Sequence, residues 1–249
     1  MLEPDNLPSM DLTGLRIWLS GAVPESEAED PNIAEPLENW KGSQLDYGIL
    51  GFVQEFSSLV FKLGGEIIHG CHPSFTPILL QQARKFQTGD NRKKKLHLAV
   101  SNYFRNESSL NDWDRWQLDA DLEIVPETSF DESQRDPSLA LLRERMASQC
   151  NAFVAIGGLW WAGVPGRAGI PKEFELAKAK KVPCYILGGF GGASRSYIEN
   201  SPDCLQNLTN GLTVEQNLRI ARNTNFVLVA GRLVAQLHHL NNGGTVRFP

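Results

Sequence analysis

Gly157-Gly158, Gly169 and Glu173 are the residues of this chain whose types and spacing most plainly serve chemistry. The diglycine closes an apolar run, Asn151 to Ile156, and Gly169 opens a segment of helical composition, GIPKEFELA. Glycine lets a backbone approach a ligand closely, and a helix N-terminus offers unpaired N–H groups and the positive end of a dipole. The natural guest of such a turn is a phosphate. Glu173, in the first turn of that helix, is expected on the ligand side, whereas Glu175, two residues on, diverges from it and leaves a paired-carboxylate glycosidase site unsupported. Upstream, Arg143 and Arg145 lie on different sides of a helix, so only one can point into the same cleft. A second glycine-rich turn, Gly188 to Gly192, follows the apolar run Val182 to Leu187, making Gly189 a candidate ligand contact and Arg195 a candidate anion contact. His69 and His72 titrate near neutrality, but no carboxylate or nucleophile motif stands beside them, so a structural or ligand-edge role is favoured over proton transfer.

The elements that must hold these groups can be read from periodicity. The runs Asn151–Ile156 and Val182–Leu187 are too uniformly apolar to have a solvent face, so they read as buried parallel strands joined by a helix in one βαβ unit. Leu15–Leu19 is a first strand ending at Ser20-Gly21, and Glu66–His69, Leu96–Ser101 and Leu122–Val125 are further strands. Helical spacing covers Tyr47–Leu63, Thr76–Phe86 and Asp136–Ser148, the last with Asp136 as N-cap and Pro137 in its first turn. Thr213 to Leu240 is helical too, with Thr213 as N-cap, Gln216 three residues later and an interruption at Asn223–Asn225. The expected fold is α/β: a Rossmann-like, mostly parallel sheet with helices on both faces and a C-terminal helical segment. Residues 1–200 would form the ligand-binding domain and 201–249 a helical extension of it.

Several stretches admit two readings. Trp160-Trp161, among Gly163 and Gly166, are either a ligand-gating loop or plugs over the sheet edge, and Arg167 is either a phosphate partner or solvated. Asn111–Trp116 is a lid or subunit contact, or else a cap on the sheet. Arg92–Lys95 is expected as a solvated loop ahead of a strand. Glu25–Trp40, acidic and without apolar period, is expected as a long surface loop.

The formal net charge of −5 argues against a nucleic-acid surface, which needs a basic stripe to displace counterions. No apolar run suits a membrane span, and the N-terminus lacks the features of a signal peptide, so a cytoplasmic protein is expected. The four cysteines are scattered, with no zinc-ligand spacing; neither disulfide, metal nor resident cofactor is expected.

Arg143 to Glu173 resembles the LOG phosphoribohydrolases and the wider SLOG superfamily, which includes DprA-like proteins and sensor domains of bacterial anti-phage systems. In LOG enzymes a helix bearing H-E-R-K-A leads to a strand ending in P-G-G-x-G-T-x-x-E. Here Arg-Glu-Arg-Met-Ala at 143–147 matches the first part and Gly157, Gly158, Gly169 and Glu173 the second. The resemblance implies Arg145 as the functional arginine and Glu173 as the catalytic glutamate, if the chain is an enzyme. It also implies that Ser20, Gly21 and Gly70 border the nucleotide, with His72 at its edge. Leu159–Ala168 intervene where LOG enzymes have one residue, and Ile156 and Ile170 replace the proline and threonine, so a different ligand is implied. Gly169 to Arg195 is similar to SLOG domains of conflict systems, which implies a nucleotide or NAD-derived signal of the cyclic ADP-ribose type, a homo-oligomer and a separate effector protein. The alternatives are a nucleoside 5'-monophosphate phosphoribohydrolase and, disfavoured by charge, a nucleic-acid binder.

Overall fold

The computed structural model describes residues 10–24, 43–87, 93–101, 103, 113–125, 135–159 and 169–243. Strands β1 (Arg16–Ala22), β2 (Glu66–His69), β3 (Leu96–Ser101), β4 (Asp121–Val125), β5 (Ala152–Gly157) and β6 (Cys184–Leu187) form one sheet in the order β4-β3-β2-β1-β5-β6. Every pairing is parallel. Parallel neighbours require crossovers, and these contain α1 (Ser43–Lys62), α2 (Thr76–Phe86), the single turn α3 (Trp113–Trp116), α4 (Arg135–Gln149) and α5 (Gly169–Ala179). Helices α6 (Gly192–Asn200), α7 (Val214–Arg222) and α8 (Phe226–Asn241) follow β6. The chain therefore winds from β1 out to β4 and returns to the other side of β1 for β5. That reversal opens a crevice at the carboxyl ends of β1 and β5.

Alternation along the strands divides the interior into two cores. Ile17 and Leu19 of β1, with Val154 and Ile156 of β5, join residues of α1, α2 and α8 on one face. Trp18, Phe153 and Ala155 join residues of α4, α5 and α6 on the other. Both faces are thus covered, as a parallel sheet demands. Helix α1 meets the first face because Ile49, Phe52, Val53, Phe56 and Val60 recur at helical spacing, with the Phe52 and Phe56 rings stacked at 5.1 Å. Helix α8 buries Val229, Ala230, Leu233, Val234 and Leu237 in the same core.

The break between the last two helices falls at Asn223–Asn225, where the Asn225 side chain accepts the Leu228 N–H at 3.0 Å and starts α8. Thr213 and Gln216 make a reciprocal capping box on α7, at 2.9 and 3.2 Å. Thr213→Ala is expected to lower stability by about 1 kcal/mol, as a lost N-cap does, measured by urea unfolding.

Two expectations change. Strand β1 runs on through Ser20 and Gly21 to Ala22, because those residues pair with Ala155 and Ile156 of β5 instead of turning away. Lys93 is exposed, as a solvated run predicts, although it reaches Glu66, whereas Lys94 is drawn to the carbonyls of Gln117 and Ala120 and Lys95 to the carbonyl of Phe61. Trp113 and Trp116 are half-buried against the first core. All four cysteines are free and buried, and none of the described helices is long and apolar enough to cross a membrane. Glu25–Trp40, Trp160, Trp161 and Arg167 lie outside the described residues.

Candidate functional site

Ser20 lies in the same alternation as Trp18, so its side chain belongs to the α4–α5 face, near the carboxyl end of β1. Its hydroxyl donates to Glu173 Oε2 at 2.5 Å. Arg143 Nε donates to Glu173 Oε1 at 3.2 Å. The Arg143 and Glu173 side chains are only 13% and 17% exposed, which makes this an ion pair shielded from solvent. Glu173 precedes buried Phe174 and opens the second turn of α5, which brings its carboxylate back over the helix start. A Cβ on Gly169 would sit 3.3 Å from Glu173 Oε1 and 3.4 Å from Arg143 Nη2, so both groups lie directly beside the N-terminus of α5.

These side chains border a cavity of about 130 Å³ together with Gly21, His69, Gly70 and His72, over an apolar floor of Trp18, Leu142 and Met146. His69 is wholly buried and stacks on Phe75 at 5.6 Å. The His72 N–H donates to His69 Nε2 at 3.1 Å, so the His69 proton is on Nδ1 and is donated to the Leu19 carbonyl at 2.8 Å. Burial, first, and the neighbouring His72 hold His69 well below the usual imidazole range, at about 4. His69 is a neutral strut tying β2 to β1.

The diglycine turn is built into the backbone on both sides. Gly158 N–H donates to the Ala22 carbonyl at 2.7 Å and its carbonyl accepts Ala193 N–H at 2.8 Å. Both glycines have positive φ, and a Cβ at Gly158 would lie 2.5 Å from Ile170 Cδ1. Gly157 and Gly158 therefore lock the ends of β1 and α6 together, and the donors left for an anion are the first amides of α5, less the one that Pro171 lacks.

Arg145, expected to face Glu173, instead meets Glu123 of β4 at 2.5 Å, with its side chain 53% exposed. Arg143 takes the position by Glu173 for a geometric reason. A crossover helix runs antiparallel to its strands, so the earlier of two residues lies nearer the carboxyl ends, about 3 Å nearer for a separation of two residues. Gly189 and Arg195 do not join the Glu173 cavity either. They line a separate cleft of about 700 Å³ between α6 and α7. A Cβ at Gly189 would overlap the Asn223 carbonyl, so this glycine admits the α7–α8 connection, and Arg195 pairs with Glu199 at 2.5 Å. Among the described residues the larger cleft has no buried ion pair beside a helix N-terminus; the smaller cavity has one. Ser74, whose hydroxyl touches both Val23 and His72, went unnoticed in the sequence because serine in a His-Pro-Ser turn carries no distinguishing pattern.

The family model described as SLOG cluster2 matches residues 49–220, from within α1 to within α7. No curated protein matches the chain. The chain belongs to the SLOG cluster2 family.

Proposed function

We propose that this SLOG-family chain binds a nucleotide or NAD-derived signal, of the cyclic ADP-ribose type among others, in the Glu173 cavity. It would answer by changing conformation or assembly within a bacterial defence or signalling system. A homo-oligomer or a separate effector protein would carry the response onward. The observation that carries this reading is the convergence of Ser20, Arg143 and Glu173 beside the N-terminus of α5, at the point where the sheet order reverses. Each Glu173 oxygen already accepts one bond, so its remaining lone pairs are held in place for ribose hydroxyls. Arg143 and the first amides of α5 offer positive potential to a phosphate. A cavity of about 130 Å³ holds a ribose or a phosphoryl group rather than a whole nucleotide, so the base would extend beyond it.

The same pair supports a second reading, hydrolysis of the N-glycosidic bond of a nucleoside 5'-monophosphate, because a largely shielded carboxylate beside an arginine is placed to stabilise a ribosyl cation. One experiment separates the two: thermal shift and chromatography of product together, with AMP, CMP, NAD, ADP-ribose and cyclic ADP-ribose isomers. A binder at a hundredfold its Kd gains about 2.7 kcal/mol, on the order of 5–10 °C in Tm for a chain this size. The expected result is such a rise, with ligand recovered unchanged, and about tenfold or greater weakening in Glu173→Gln and Arg143→Ala. Free base released by the wild type and abolished in Glu173→Gln would make the chain a hydrolase; no response to any member of the panel would end the binding reading.

A further inference from the structure

His72 borders the Glu173 cavity from the turn after β2, and three neighbours fix how it sits. Its backbone N–H is held by His69 Nε2 at 3.1 Å. Its carbonyl accepts the Phe75 and Thr76 N–H groups, both at 3.1 Å, and the Thr76 hydroxyl at 2.9 Å. Pro73 confines His72 to extended backbone and sets its own φ, so the turn has little freedom. Cys71, immediately before, holds a positive φ of 60°, a conformation that a side chain other than glycine rarely adopts and that the surrounding structure must enforce.

The ring is fixed as firmly as the backbone. Ser74 N–H donates to His72 Nδ1 at 3.3 Å, as an Asx-type turn does two residues on, and an amide cannot reverse its role. Nδ1 is therefore an acceptor. The Ser74 hydroxyl oxygen accepts the Val23 N–H at 3.1 Å and lies 2.8 Å from the same Nδ1, so its proton points to the ring. Both donors of Ser74 select one neutral tautomer, with the His72 proton on Nε2.

We propose that Ser74 is a positioning residue that fixes His72 as an Nε2–H donor at the Glu173 cavity, where it serves a phosphoryl oxygen of the ligand. This rests on the binding reading above and adds its geometry: a carboxylate acceptor for hydroxyls at one wall and a neutral imidazole donor at another. Because Ser74 is itself held by Val23, just past the end of β1, the donor is referenced to the same strand that presents Ser20. A lysine or arginine would bind phosphate through charge; a fixed imidazole N–H adds direction.

The test is the imidazole ¹⁵N spectrum of the labelled full chain near neutral pH, with the His72 signals assigned by their loss in His72→Gln. In the wild type His72 is expected as a single tautomer protonated on Nε2. In Ser74→Ala it should become a mixture of tautomers while the amide spectrum elsewhere is retained, and Ser74→Thr, which keeps the hydroxyl, should restore the single form. Titrating inorganic phosphate should move the wild-type Nε2–H signal, with about tenfold weaker response in Ser74→Ala. An unchanged tautomer in Ser74→Ala overturns the positioning role whatever the ligand. A wild-type tautomer as expected, with Nε2–H indifferent to phosphate, overturns the donor role instead. Absence of any ligand response in the thermal panel, with the tautomer shift intact, overturns the binding reading on which the donor role stands and leaves the Ser74 latch in place.

Discussion

Gly21→Ala is expected to destabilise the chain by about 3–5 kcal/mol, lowering Tm by on the order of 10 °C. Gly21 has φ of 147°, and a Cβ there would overlap the Ile156 carbonyl oxygen, lie 3.0 Å from the Ile156 carbonyl carbon and 3.3 Å from the Phe75 ring. The first two are backbone atoms of β5 in register with β1, so nothing can swing aside. Relief would have to come from parting β1 and β5 at their carboxyl ends, which would also pull Ser20 away from Glu173. Gly231→Ala is the matched contrast. It stands within α8 with open space around its Cβ direction and no positive φ, so the same change should stabilise by about 0.5–1 kcal/mol. Urea unfolding of both variants decides the matter. A Gly21→Ala protein as stable as the wild type would mean that β1 and β5 do not approach this closely.

The Gly21 result bears on how much of the site the sequence discloses. The βαβ unit around Gly157 and Glu173 is legible because its strands are apolar on both faces and its turn is glycine, two signals that local physics forces on any buried parallel pair. The position of Glu173 follows, since it is fixed by its distance from the helix start. Arg143 and Arg145 are harder. Periodicity says that they diverge, but not which side of α4 meets α5 and which meets β4; that depends on strand order, a nonlocal property. Gly189 shows the converse: its glycine signal is real, yet it answers to the α7–α8 connection, more than thirty residues downstream, rather than to a ligand. The basic run at Lys93–Lys95 is only partly legible for the same reason. Its acceptors, Glu66, Phe61, Gln117 and Ala120, come from three other parts of the chain. Local chemistry is written in local spacing, whereas the partner of each charged group is decided by which strands become neighbours.

Acidification from about pH 7 should weaken the fold in two successive windows, the upper carried mainly by His69 and the lower by Glu66. His69 has its folded pKa at about 4, held down chiefly by burial, below the 6.5 of the free group. The unfolded chain therefore binds that proton more readily, and stability present above 6.5 declines as pH falls toward 4, by about 3 kcal/mol at most. Glu66 acts lower. Burial pushes its carboxyl up, but hydrogen bonds from Lys93, Arg16 and His97 outweigh this and hold it at about 2, below the ordinary 4.5. Its contribution is complete above 4.5 and is lost as pH falls toward 2; the formal maximum is again about 3 kcal/mol, reduced by salt because the Lys93 partner is exposed. His97, also lowered by burial first and by Arg16 second, adds to the upper window in the same direction. Urea unfolding across this pH range should then give a slope that His69→Gln flattens above about pH 4 and Glu66→Gln flattens below about pH 4.5. If His69→Gln leaves the upper slope unchanged, the ring is not buried neutral between Leu19 and His72. In that case the turn that carries His72 and Ser74 to the cavity is not anchored to β1 as described.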